Sequence, residues 1–233
     1  MNYFYSNDIQ ENFGTLTGQE ASHCFKVLRK KEGDIINVLD GEGGLYKSKI
    51  ITLSKNELQF EVIETIFHER PQLNIHIAIG PTKNISRIEW LLEKATEVGV
   101  SGFTFIQCEN AQRNIVKMQR LEKIVQSAAK QSGNFYLPQI NEMVDFEHFL
   151  KSAEFDQKLM GYCQGKLSSI KSVLNRSSSS LLLIIGPEGD FSPNEIRIAK
   201  QNNVELITLG HNRLRTETAA LVALIKVKTM FDD

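Results

Sequence analysis

The chain has 233 residues, 41% hydrophobic and 24% charged, with a formal net charge of −1, which describes a globular protein of one large domain or a small and a medium one. The near-neutral total argues mildly against a nucleic-acid binder, which often carries a basic excess, and no apolar run approaches the roughly 20 residues that cross a bilayer. "MNYFYSNDIQ" lacks the basic and apolar regions of a secretory signal, and Cys24, Cys108 and Cys163 stand too far apart for a disulfide framework or a zinc motif, so a reducing cytoplasm is expected, with each cysteine a buried small hydrophobe.

Residues 1 to about 70 read as β-rich. "DIINVLDGEGGLYKSKIITL" is strand, Gly-rich turn, strand, and "ELQFEVIETIF" is a further strand with one wet face. Several short strands without long helices suggest a small barrel. "KVLRKKEGD" is locally basic, either an RNA-facing patch or a solvated face. "HERPQ" then breaks the pattern, and Pro71 marks a linker.

From about residue 73 strands and helices alternate, the signature of a parallel α/β sheet. "LNIHIAIG" is a strand. "SRIEWLLEKATEVGV" is a helix with Ile88, Leu91, Leu92, Ala95 and Val98 on one face, an expected Ser86/Glu89 capping box, and Gly99 at its C-terminal end. Trp90 lies off that stripe, where partial core burial is expected and a partner-subunit contact is the alternative. "GFTFIQC", the helix "MQRLEKIVQSAAKQSG" and the strand "QKLMGYC" follow, with "NRSSSS" a polar connector.

Two corners then stand out. "LLLIIG" has no polar alternation, so it reads as a central strand buried on both faces. "GPEGDF" turns the chain away, and Ser192, Pro193 and Glu195 restart a helix with a complete capping box. "ELITLG" repeats the pattern: Gly210, the loop "HNRLR", and a helix from Thr216 to about Met230. Both loops sit at carboxyl ends of strands, where open α/β sheets bind ligands. Glu217 suits the helix dipole, whereas Arg215 beside the same N-terminus does not, and calls for a phosphate, a carboxylate or Glu188 as partner. Neither corner is a standard nucleotide motif, and "GPTKN" replaces a G-x-G-x-x-G after the first α/β strand. The histidines show no metal spacing.

"GPEGDFSPNEI" followed by "LGHNRLRTETAA" closely resembles the RsmE family of ribosomal RNA uridine-N3 methyltransferases in the SPOUT superfamily. "IEWLLEKATEVGV", "AAKQSGNFYLPQI" and "VLRKKEGDIINVLDGEG" extend the resemblance over nearly the whole chain. It implies a PUA-like β-barrel over residues 1–70 for RNA binding. It also implies an α/β trefoil-knot domain with a parallel sheet over residues 73–233, for cofactor binding and dimerisation. The implied cofactor is S-adenosyl-L-methionine, the implied partners are small-subunit ribosomal RNA or the small ribosomal subunit and a second copy of the chain, and no metal is implied. Carried over to this chain, cofactor binding falls to Tyr162, Cys163, Ile185, Gly186, Pro187, Glu188, Gly189, Leu209, Gly210, Asn212, Leu214, Arg215, Thr218 and Ala219. Catalysis falls to Glu217 as base, with Arg215 and Arg113 orienting the substrate. Arg29, Lys30 and Lys31 would grip RNA phosphates. The chain departs from the family pattern at Asp190, where a second glycine is more usual, at His211-Asn212-Arg213-Leu214, and at Arg113-Asn114.

Overall fold

The computed structural model describes residues 2–112, 115–165 and 167–231. Two compact units divide the chain: residues 1–70 with 126–137, and residues 71–125 with 138–233.

The first unit is built on six strands: β1 (Tyr3–Tyr5), β2 (Ile9–Gln10), β3 (Phe13–Thr17), β4 (Ile35–Leu39), β5 (Gly44–Leu53) and β6 (Glu57–Phe67), in the order β1-β4-β5-β6-β3-β2. All neighbours are antiparallel except β1 and β4. Alternation along β6 buries Leu58 and Phe60, which pack with Phe4, Leu16, Ile36, Val38 and Ile50 into one core. The sheet curls onto itself: Ser6, just past β1, donates its hydroxyl to the Thr15 carbonyl of β3 at 2.7 Å. A short helix α1 (Gly18–Ser22) and a π-helical turn (His23–Val27) cover the core through Ala21 and Cys24. Burial pushes the Cys24 thiol up to about 11, which leaves it an inert small hydrophobe.

The second unit carries a seven-stranded, wholly parallel sheet. Its strands are β7 (Asn74–Ile79), β8 (Gly102–Gln107), β9 (Gln139–Asp145), β10 (Gln157–Gly161), β11 (Ser168–Ser169), β12 (Ser180–Ile185) and β13 (Glu205–Thr208). Their order is β11-β13-β10-β12-β7-β8-β9. The apolar run of β12 is central, as expected, between β10 and β7. The last strand, β13, does not add at an edge: it lies between β10 and β11, both of which precede it in the chain. Among the described residues the unit also holds the helices α2 (Ile85–Val98), α4 (Phe146–Ser152), α5 (Ile170–Val173), α6 (Pro193–Gln201) and α7 (Thr216–Phe231), while α3 (Met118–Ser132) is divided between the two units. Phe146, Leu150, Ile198 and Ala199 of α4 and α6 pack with Ala78, Met160, Leu182 and Ile184 on one face of the sheet, and α7 packs on β7, β12 and α2.

Two expectations are corrected here. The N-cap of α2 is Asn84, whose side chain accepts from the Ser86 amide, so Ser86 and Glu89 form no capping box; Glu89 pairs instead with Arg120 of α3. Trp90 is 43% exposed rather than part of the core. Gly99 does end α2 in the left-handed conformation, at φ 89°, and Ser192 and Glu195 do form the reciprocal box at α6. "NRSSSS" is indeed a connector, pinned where the Ser179 and Ser180 amides and the Ser179 hydroxyl donate to Asp156. Those donors hold the Asp156 carboxyl below its ordinary range.

Candidate active site

At the carboxyl ends of β10, β12 and β13 three loops enclose a cavity of about 630 Å³. That lies within the roughly 300–1,000 Å³ of small-molecule sites. Tyr162, Cys163, Ile185, Gly186, Pro187, Glu188, Gly189, Leu209, Gly210, Asn212, Leu214, Arg215 and Ala219 all line it. Thr218 and Glu217 are not among the lining residues, and Arg113 lies outside the described residues. Gly161, Asp190, Thr208 and Arg213 line the cavity as well; Asp190 and Arg213 fall in the two loops already singled out, and Gly161 closes the strand "QKLMG".

The loop after β12 is held from several sides. The Gly80 amide donates to the Ile185 carbonyl at 2.9 Å, and a Cβ on Gly80 would stand 2.8 Å from the Pro187 nitrogen, so "GPTKN" serves as the wall against which the loop turns. Asn110, after β8, donates its side-chain amide to the Gly189 and Asp190 carbonyls at 3.3 and 3.1 Å. Asp190 is left-handed at φ 62°. Its amide donates to the Pro187 carbonyl, and its carboxylate accepts from the Phe191 amide at 2.9 Å. The turn thus adopts a glycine-like conformation with aspartate, one of the few side chains that tolerate it. Beneath it, buried Glu195 accepts from the Ser192 amide at 2.7 Å and from the Glu109 amide at 3.0 Å, joining the start of α6 to the end of β8.

Glu188 does not pair with Arg215. Its carboxylate takes the Lys83 amide at 2.9 Å and the Arg87 guanidinium at 3.0 Å. Arg87 also stands 3.9 Å from the carboxylate of Glu217, whose side chain is only 9% exposed. Arg215 is exposed and, among the described residues, forms no ion pair. Cys163 is exposed, against the expectation of burial. Its partial burial raises the thiol above its ordinary range, with Asp190 adding and Arg213 opposing. Among the described residues the three loops therefore present main chain at glycine positions, two arginines without an ion pair, Arg213 and Arg215, and carboxylates already engaged. Among the described residues no cluster of side chains could hold a metal ion.

In the first unit Arg29 and Lys31 are exposed, and Arg29 is left-handed at φ 51°. Lys30 is half-buried, its ammonium donating to the Ile35 carbonyl at 3.1 Å. Phe25 and Val27, on the adjoining π-helical turn, are 44% and 66% exposed.

Residues 68–228 match the RNA methyltransferase domain family, and residues 16–63 the RNA methyltransferase PUA domain family. The ribosomal RNA small subunit methyltransferase E of Bacillus subtilis is 32% identical over 228 residues, covering 90% of this chain and 87% of that protein. A crystal structure from Porphyromonas gingivalis, described as an rRNA-methyltransferase, superposes with a TM-score of 0.91 at 33% identity, covering 100% of this chain and 99% of that one. A methyltransferase of Legionella pneumophila, solved with the cofactor S-adenosylmethionine bound, superposes with a TM-score of 0.88 at 26% identity, covering 98% of this chain and 96% of that one. With the methyltransferase pattern running over most of its length and such likeness to a small-subunit enzyme over nearly all of it, the chain belongs to the ribosomal RNA small subunit methyltransferase E family.

Proposed function

We propose that this protein transfers a methyl group from S-adenosylmethionine to N3 of one uridine in small-subunit ribosomal RNA, as a homodimer in the cytoplasm. The observation that carries this reading is the cavity at the ends of β10, β12 and β13, edged by Gly161, Gly186, Gly189 and Gly210. Residues with this little side chain let main-chain N–H and C=O groups reach an adenine edge and ribose hydroxyls, which suits the cofactor. The loops of residues 161–164, 185–190 and 208–215 would hold it. When bound, it supplies an electrophilic methyl on a cationic sulfonium.

The chain's own task is to align the uridine with the methyl group, its N3 proton passing to water as the N–C bond forms and the S–C bond breaks. Arg215 is the residue for alignment: it is exposed at the cavity, unpaired among the described residues, and placed where the α7 dipole disfavours a cation, so an RNA phosphate or a uracil oxygen offsets its cost. Glu217, expected as the base, is buried outside the cavity lining and beside Arg87, and this mechanism gives it no proton-transfer step. Arg29 and Lys31, with Phe25 nearby, would contact RNA from the first unit. Exposed Trp90 on α2 and Ile225 on α7, at 43% and 41%, favour a self-association face on the second unit; light scattering that gives the monomer mass would rule this out.

The decisive experiment incubates the protein and labelled cofactor with small subunits, or with naked small-subunit RNA, from cells lacking the gene. N3-methyluridine at one position is the expected product. Tight cofactor binding without label in either substrate would sink the substrate assignment. Absence of cofactor binding by the folded protein would favour a non-catalytic RNA-binding or assembly factor on the same fold.

A further inference from the structure

At the margin of the cavity two carboxylates, Glu188 in its lining and Glu217 outside it, share one cation. Glu188, in the loop after β12, receives the Arg87 guanidinium on Oε1 at 3.0 Å, and Glu217, in the first turn of α7, faces the same guanidinium at 3.9 Å. No other cationic side chain among the described residues pairs with either carboxylate. Glu217 is nine-tenths buried, and its Oε2 has no hydrogen-bond partner among the described residues. A buried carboxylate close to a second one is costly unless a cation compensates it, so Glu217 settles where Arg87 can reach it.

The positions of these carboxylates matter because of their neighbours. Pro187 and Gly189 flank Glu188 and line the cavity, and Thr216 flanks Glu217 and lines it from the other side. Arg87, on α2, is not itself a lining residue. The planar guanidinium donates from Nη1 to Glu188 and holds its Nε side at ion-pair distance from Glu217; an ammonium on a flexible stem carries the charge without that fixed geometry. We propose that Arg87 is a positioning residue: it ties the loop carrying Glu188 to the first turn of α7 and so sets the gap in which the methyl donor is held. The role of this gap rests on the function proposed above, whereas the tie itself does not.

The test uses the full chain with Arg87→Gln and Arg87→Lys. Amide hydrogen exchange without ligand reads the tie, and calorimetry with S-adenosylmethionine reads its consequence. Arg87→Gln should speed exchange in residues 186–190 and 216–219 together while the central strands keep their protection. It should also weaken the cofactor about tenfold, as loss of a charge-assisted hydrogen bond does, and leave KM for RNA unchanged. Arg87→Lys should show the same pattern more mildly, and decides the matter if Arg87→Gln fails to fold. Wild-type cofactor affinity in the variants, faster exchange at only one corner, or an even loss of protection across the unit would overturn the proposal. If the wild-type protein itself binds no cofactor, the functional reading fails and, with it, the role of the gap; the exchange pattern then still reports whether the two corners are tied.

Discussion

His76 shows how one buried side chain can set a pH limit. It sits on β7 with its ring nitrogen 2.8 Å from the Thr104 hydroxyl, which also receives the Asn141 side-chain amide at 3.0 Å. Burial lowers the imidazole from its usual 6.5 to about 4. The folded chain therefore holds the ring neutral at pH values where the unfolded chain protonates it. The associated stability is complete above pH 6.5 and is lost as the pH falls toward about 4, by about 1.4 kcal/mol per unit from this group alone. His76→Gln should flatten that part of the profile, and urea unfolding at pH 7 and pH 5 measures it; equal losses in the two proteins would refute the assignment. Asp190 teaches a different lesson at the same scale. A side chain is tolerated in this left-handed turn because it binds the next amide.

At the scale of elements, the carboxyl-edge corner depends on the start of α6. Ser192→Ala removes one half of its capping box and should cost about 1 kcal/mol. Glu195→Ala removes the other half and also strands the Glu109 amide beyond the helix, so it should cost more, about 2–3 kcal/mol. Denaturant titration gives the order directly, and a smaller loss for Glu195→Ala would show that the β8 contact contributes nothing. This helix was legible in the sequence, because a box closes over four residues. The cap of α2 was not, because Asn84 and Ser86 are both competent and the choice depends on where the preceding turn leaves the chain. β9 went unnoticed for a related reason: as an edge strand it is half-exposed, so it carries no apolar run. The cavity-lining loops could be named from their glycines. The contacts of Gly80, Arg87 and Asn110 that hold them could not, since they join residues 79 to 107 positions apart through a strand order that no local pattern encodes.

For the whole molecule, the division into two units predicts separable effects. Arg29→Glu with Lys31→Glu should weaken RNA binding and reduce its salt dependence by roughly two phosphate contacts, while cofactor affinity stays at the wild-type value. Titrations of RNA at several salt concentrations, beside calorimetry with the cofactor, check both halves of the statement; an unchanged salt slope would remove these residues from the RNA surface. The charge total of −1 concealed this patch because acidic residues elsewhere balance it. The insertion of β13 between β10 and β11 carries a consequence for synthesis. Every wall of the cavity comes from residues 161–219, and one of them follows a strand that must enter between two already made. A growing chain therefore has no complete site until residue 219 has been made and that strand is seated. Capture of the methyl donor therefore reports that β13 has been seated.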